Sequence, residues 1–285
     1  MAVEVIVKQK GLFGRNITIE DIVADDLSYG IMDENYRLKP EEQGEYMVVY
    51  SNKHLGRGME VSFEKKEVNF RLPLPNSEED IRLFYRTVER VCELQGVHSF
   101  YRDGEKIELG DYESLIQSDM HASTGALESM EQGIAEGEYK NMIVFAIVNP
   151  ITVEQKDLEQ MKGADGSYDL KKFGEFLDGH QRLDVYYAAP LLYQKKDETI
   201  FGMYTISAGI PSVVPMIPKL LMNNDLKVEE WYASLVIAQG NIKTVKYEDF
   251  IAFAGEREQY DGEHIIVTLS AEEMEKLAEQ CGVEI

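Results

Sequence analysis

Five histidines, His54, His98, His121, His180 and His264, are the side chains of this 285-residue chain best suited to proton transfer near neutral pH. None stands three or four residues from another, so no local pair of metal ligands exists. A metal site would have to be assembled from distant parts of the chain, and none is assigned. His180, in "DGHQRLD" between Asp178 and Asp184, lies in an expected loop and has the best local setting for a general base. The same letters suit an exposed, hydrogen-bonded histidine, and no catalytic residue is assigned. Arg82, Arg86 and Arg90 recur at i, i+4 and i+8 on the polar face of an expected helix, where stacked guanidinium groups suit a carboxylate or a phosphate. Glu78, Glu79, Glu89 and Glu93 lie three or four residues from them, which favours a neutralised outer face. Trp231 and Tyr232 are adjacent on an expected strand and so point to opposite faces: one belongs to the core, the other is available as a binding anchor.

Patterns tied to particular reactions are missing. The sequence contains no phosphate-binding GxxxxGK followed by Ser or Thr, no HExxH, no GxSxG and no kinase catalytic-loop text. "GRG" at Gly56 to Gly58 leads into a strand instead of a helix, so it reads as a turn. "KGADGSYDLKKFGEFLDG" resembles a calcium loop only briefly. With Gly166 at the sharp turn, the first ligand would be Met161 and the last Lys172, so the two strongest oxygen ligands are absent. Cys92 and Cys281 each fall on the apolar stripe of an expected helix and read as small buried hydrophobes. No cofactor is implied.

Charge narrows the range of partners. The 52 acidic and 29 basic side chains give a formal charge of -23, spread along the whole chain. Such a field repels nucleic acid and anionic membranes and attracts a basic protein. "MAVEVIVKQK" shows neither a basic region before an apolar run nor a cleavage site, so a cytoplasmic location is expected.

The elements that would position these residues follow from periodicity and capping. Val3, Val5 and Val7 alternate as a strand, "TIEDI" reads as a short helix capped by Thr18, and three strands between Glu45 and Leu74 form an antiparallel meander. "SEEDIRLFYRTVERVCEL" is the clearest helix: Ser77 caps it, Asp80 completes the box, and Ile81, Phe84, Tyr85, Val88, Val91 and Cys92 share one face. A hairpin at "RDGE" follows, then helix from Tyr112 to about Glu136, broken near "ASTG". "MIVFAIV" is a buried strand closed by "NPIT". In the second half, helices at "TVEQKDLEQM" and "DLKKFGEFL" precede a hairpin turning at "KKDE". A strand "EWYASLVIA" comes next, "NIKTV" beside it, then a short helix "YEDFIAFAG". "HIIVTLSAEEMEKLAEQCG" ends the chain as a strand feeding a helix capped by Ser270 and Glu273. The junctions "LPLPNSEED", "FAIVNPITVEQ" and "IIVTLSAEE" share a strand-to-cap pattern. They suggest an α+β fold of antiparallel sheets with capped helices packed on them, with similar halves at 1-150 and 151-285.

Thr199 to Pro218 contains no charged side chain. Pro211, Pro215 and Pro218 exclude a membrane-spanning helix, and Ser207 in "TISAG" lacks the glycine two residues earlier that a nucleophile elbow needs. The stretch reads as a buried hairpin strand, then an ordered, largely buried crossover over Pro211 to Pro218 without helix. Exposure of Val213, Val214 and Met216 would mark a partner surface.

"GRGMEVSFEKKEVNFRLPLPNSEEDIRLFYRTVERVCEL" and "GMYTISAGIPSVVPMIP", with the overall length, resemble an uncharacterised bacterial family of cytoplasmic proteins classed as a domain of unknown function. The resemblance carries no activity and no site residue. The favoured function is a soluble acidic protein-binding module, such as an inhibitor, an immunity-type protein or an adaptor, that docks a basic partner. Its candidate contacts are Arg82, Arg86, Arg90, Val213, Val214, Met216, Trp231 and Tyr232. An enzyme with carboxylates and His180 or His264 assembled from dispersed positions, and a structural homo-oligomer packed through the Pro-rich segment, are the alternatives.

Overall fold

Valines at every second position make the first strand, β1 (Ala2–Lys8), and put Val3, Val5 and Val7 in the core. In the computed structural model, which describes residues 1–9, 16–23, 26–33, 35–221, 226–255 and 258–285, the chain folds as two units, Met1–Arg182 and Leu183–Ile285. The first continues with α1 (Ile19–Ile22), β2 (Leu27–Met32), β3 (Leu38–Pro40), β4 (Met47–Ser51), β5 (Met59–Glu64) and β6 (Glu67–Pro73). After α2 (Glu78–Gln95) come β7 (Ser99–Arg102), β8 (Glu105–Glu108) and α3 (Tyr112–Ala135). The hairpin β9 (Met142–Phe145) and β10 (Pro150–Val153) and the helices α4 (Gln155–Gln160) and α5 (Leu170–Gln181) complete it.

The antiparallel meander expected between Glu45 and Leu74 lies inside an eight-stranded sheet of order β3-β2-β4-β5-β6-β1-β7-β8, antiparallel at every step. One face carries Val5, Val61, Phe70 and Phe100 into the same buried cluster as Ile81, Phe84, Val88 and Val91 of α2. Phe70 and Phe84 meet edge to face at 6.3 Å between ring centroids. Helices α3 and α5 pack on α2, so the clearest amphipathic helix of the sequence is the centre of this unit.

The second unit holds β11 (Tyr186–Tyr187), β12 (Leu191–Gln194), β13 (Ile200–Ser207), β14 (Ser212–Pro215), β15 (Glu230–Ala238) and β16 (Asn241–Lys246). The helix α6 (Tyr247–Ala254), the strands β17 (Glu258–Gln259) and β18 (His264–Val267) and the helix α7 (Ala271–Cys281) follow. It contains two four-stranded sheets, β12-β13-β15-β16 and β11-β14-β18-β17, each with one parallel pair, β13 with β15 and β11 with β14. Its core joins Tyr204, Ile206, Val214 and Leu235 to Phe250, Val267, Met274 and Leu277. The architecture is α+β, as capping and alternation imply.

Several expectations need correction. Compact packing divides the chain at Arg182 and Leu183, whereas Asn149 to Thr152 lies within the β9–β10 hairpin, whose Val144, Ile151 and Val153 are buried in the first core. The two units are not copies, since an all-antiparallel eight-stranded sheet has no counterpart in two mixed four-stranded ones. Pro150 opens β10 instead of closing a strand, and the cap of α4 is Glu154, boxed with Asp157, while Thr152 is buried in the sheet. Helix α3 runs unbroken through "ASTG": Thr124 Oγ1 donates to the His121 carbonyl and Ser129 Oγ to that of Gly125, so the hydroxyls bond back within the helix instead of diverting it. Cys92 is fully buried, but Cys281 is only partly covered, and both are free thiols.

Candidate functional site

The uncharged run exposes Ile210, Met216 and Ile217; Leu191, Leu192 and Tyr193 of β12 and Ile242 of β16 are other apolar side chains that the second unit turns to solvent. Val213 and Val214, offered as partner contacts, are fully buried in β14, which lies between β11 and β18. Pro211 precedes this strand and Pro215 is its last residue, so the inner residues keep their ladder donors: Val213 and Val214 pair with Ile266 and Ile265. The crossover from Pro211 to Pro218 is therefore ordered and without helix, as expected, and half of it is a sheet strand instead of an irregular cover. Beyond Pro215 the chain emerges. Met216 is 42% and Ile217 77% exposed.

These two exposed residues are held on a fastened backbone. Tyr247 Oη donates to the Pro215 carbonyl at 2.6 Å, and Tyr204 Oη donates to the Lys219 carbonyl at 2.7 Å. The Met216 N–H bonds the Glu263 carbonyl at 2.8 Å, and Lys219 Nζ pairs with the Glu263 carboxylate. Tyr204 and Tyr247 are both buried, with ring centroids 4.9 Å apart, so the two anchors brace each other. Burial pushes both hydroxyls well above the ordinary phenol range, so they remain donors at any physiological pH.

Met216, Ile217 and Pro218 form one wall of a groove of about 600 Å³ whose other walls are the start of β15 and the first turns of α6. Trp231 and Tyr232 both line it. Trp231, which is partly buried, lies over Gly202 of the neighbouring strand, where an added Cβ would stand 2.3 Å from the Trp231 ring. Gly202 and Trp231 are register partners in the parallel β13–β15 pair, so the missing side chain makes room for the indole. Tyr232 is the core member of the pair at 8% exposure, and its hydroxyl donates to Glu230 at 2.8 Å. Glu229, Glu230 and Glu248 stand at the edge with Lys246. Glu230 also takes Lys195, and Lys246 lies 3.8 Å from Glu248.

Sequence reasoning named Met216, Trp231 and Tyr232, which the fold brings together. It missed Ile217, Gly202, Tyr204 and Tyr247. Ile217 carried the same signal as Met216, an apolar residue in an uncharged run between two prolines. The tyrosine anchors carried none, because a hydroxyl's partner across the fold leaves no mark in local spacing.

The arginine row divides. Arg82 is neutralised as expected, with Nε 2.9 Å from Glu78 and Nη1 3.5 Å from Glu113. Arg86 and Arg90 pair with no carboxylate among the described residues. They line a separate cleft of the first unit, and Glu89, the expected neutraliser of Arg86, instead accepts the Tyr112 hydroxyl at 2.9 Å. Asp80 does not complete the box at Ser77. Ser77 Oγ accepts the Asp80 N–H, while the buried Asp80 carboxylate turns to accept the N–H of Arg57 at 2.9 Å.

The histidines named for acid–base work both make hydrogen bonds within the fold. His180 lies in the last turn of α5, not in a loop, with Nδ1 2.9 Å from the Phe176 carbonyl. His264 is buried: Nδ1 lies 2.8 Å from Asp261 and Nε2 3.0 Å from the Tyr187 hydroxyl. Asp261 Oδ1 also accepts the backbone N–H groups of Glu263 and His264. The neutral tautomer that donates from Nδ1 satisfies both ring contacts. Burial raises the Tyr187 phenol far above its ordinary range, opposite to what a nucleophile needs. The triad is thus a polar link between β11 and β18. Among the described residues no group of three or more His, Cys, Asp or Glu side chains is placed to hold a metal, and no helix is long and apolar enough to cross a membrane.

Residues 2–277 match the family model DUF4299, described as a domain of unknown function. No curated protein and no solved structure matches the sequence.

Proposed function

The chain belongs to the DUF4299 family, and within it we propose an acidic protein-binding module, an inhibitor, immunity-type protein or adaptor, whose C-terminal unit receives an apolar, basic segment of a partner protein. The observation that carries this reading is the fastening of Pro215 and Lys219 by buried tyrosines beneath the exposed Met216 and Ile217. An apolar side chain exposed on a loose loop loses ordering entropy when it binds. One exposed on a backbone already tied down loses little, which is how interface anchors are built. Trp231 supplies the residue type most enriched at such anchors, in a groove of about 600 Å³. Basic chemistry for the partner follows from Glu229, Glu230 and Glu248 at the edge and from the formal charge of -23.

A photo-crosslinking side chain at position 217 of the full-length protein tests this in cells. The expected product joins a basic protein through the groove. Capture of that protein by the wild type falls at least tenfold on substituting Ile217→Asp, a change on the order of a hot-spot contact, and falls with rising salt. Capture that survives both Ile217→Asp and high salt removes the proposal. Cross-links between identical chains instead favour the homo-oligomer.

A further inference from the structure

The first unit contains a cleft of about 420 Å³ between α2 and the loop that follows β4, lined by Leu27, Lys53, His54, Leu83, Arg86 and Arg90 among others. We propose that this cleft binds a small phosphate monoester, with Arg86 and Arg90 gripping the phosphate and Leu27 and Leu83 contacting the apolar part of the ester.

The argument begins with a charge account of the cleft. Its acids are Asp26, Glu79 and Asp80; its bases are Lys53, Arg86 and Arg90, with His54 beside them. Lys53 and Asp26 satisfy each other at 3.0 Å. Asp80 is closed off, its carboxylate buried and bonded to the Arg57 backbone. Glu79 faces His54 Nε2 at 3.9 Å. Arg86 and Arg90 remain. Arg86 is exposed, and among the described residues Arg90 donates from Nε alone, at 3.2 Å, to the Asp21 carbonyl. Among the described residues both guanidinium groups therefore keep donors for an incoming anion.

Geometry selects the ligand. Residues four apart on a helix stand side by side, so two guanidinium forks present many donors to one point. A dianion with three terminal oxygens uses them more fully than a single carboxylate does. A chain this acidic repels polyanions, but at physiological salt the field of distant carboxylates is screened within about 8 Å, so a local arginine pair acts on a small ligand.

The loop opposite the arginines is already fixed. Leu55 N–H donates to Asp178 at 2.7 Å, Arg182 Nη2 donates to the Lys53 carbonyl at 2.8 Å, and the Asn52 N–H bonds the Asp26 carbonyl at 2.8 Å. His54 lines the cleft, and its Nε2 is buried against Gly174. The site needs little rearrangement to be occupied.

Phenyl phosphate and inorganic phosphate, titrated into the full-length protein by calorimetry at about 150 mM salt, where the field of the distant carboxylates is screened, test the assignment. Phenyl phosphate is expected to bind at one site, more tightly than phosphate. Arg86→Gln and Arg90→Gln each weaken it about tenfold, and the pair abolishes it. Arg82→Gln, which alters a guanidinium already bound to Glu78 and Glu113, leaves affinity unchanged. Melting curves of the variants establish that each is folded. Equal affinity for the two probes overturns the ester assignment. Absence of binding, or binding undiminished in the folded double variant, overturns the site.

Discussion

At the scale of single residues, two side chains show how polar groups shape the surface from below. Tyr247→Phe deletes the hydroxyl that meets the Pro215 carbonyl and leaves that acceptor covered and unpaired. Stability falls by about 1–2 kcal/mol, read from the urea midpoint, and capture of a groove partner weakens with it. Asp80 makes a prediction about pH. Burial raises its carboxyl above the ordinary Asp value, against the pull of the Arg57 and Gly58 N–H groups and of His54. A raised carboxyl contributes stability that is full below about pH 4 and is lost as pH climbs through the folded value. Asp80→Asn cannot titrate, so the stability of the wild type relative to this variant declines from about pH 4 to about pH 7. Urea denaturation of both proteins at the two pH values measures it; a difference that grows with pH contradicts the direction.

At the scale of elements, β13 and β15 fit closely where Gly202 makes room for the chain's single tryptophan. Gly202→Ala forces the Trp231 ring out of its place, costing about 1–3 kcal/mol and shifting indole emission to longer wavelength. Unchanged emission shows that the ring has another place to lie. Elements were legible where two local signals agreed. The alternation of Val3, Val5 and Val7 and the stripe from Ile81 to Cys92 named their faces correctly, and Ser270 with Glu273 forms the box its spacing implies. They were misread where a long-range partner outbid the local one. Asp80 stands at box spacing, but a backbone N–H 23 positions earlier in the chain claims its carboxylate. Thr152 stands where a cap is expected, but pairing with Ile143 holds it in a strand. The groove was half legible for the same reason: its apolar wall lies in one uncharged run, while its floor comes from strands and a helix distant in sequence.

At the scale of the whole molecule, 52 acidic groups against 29 basic ones set the response to salt. Self-repulsion opposes the folded state, so raising ionic strength from about 10 mM to about 150 mM raises the melting temperature by about 2–4 °C, followed by calorimetry. On the proposed function the same change weakens capture of a basic partner, so stability and binding move in opposite directions, which separates surface charge from loss of fold. The buried clusters of Met1–Arg182 and Leu183–Ile285 have no residue in common, so a lesion in one core leaves the packing list of the other intact. The tyrosine anchors carry this separation down to the surface. They hold the 215–219 segment by its main-chain carbonyls and leave the side chains at 216 and 217 unused. Those two positions can therefore be exchanged for other residues without disturbing the scaffold, like interchangeable type in a fixed frame. Related chains with different letters at 216 and 217 are expected to share this fold while recognising different partners.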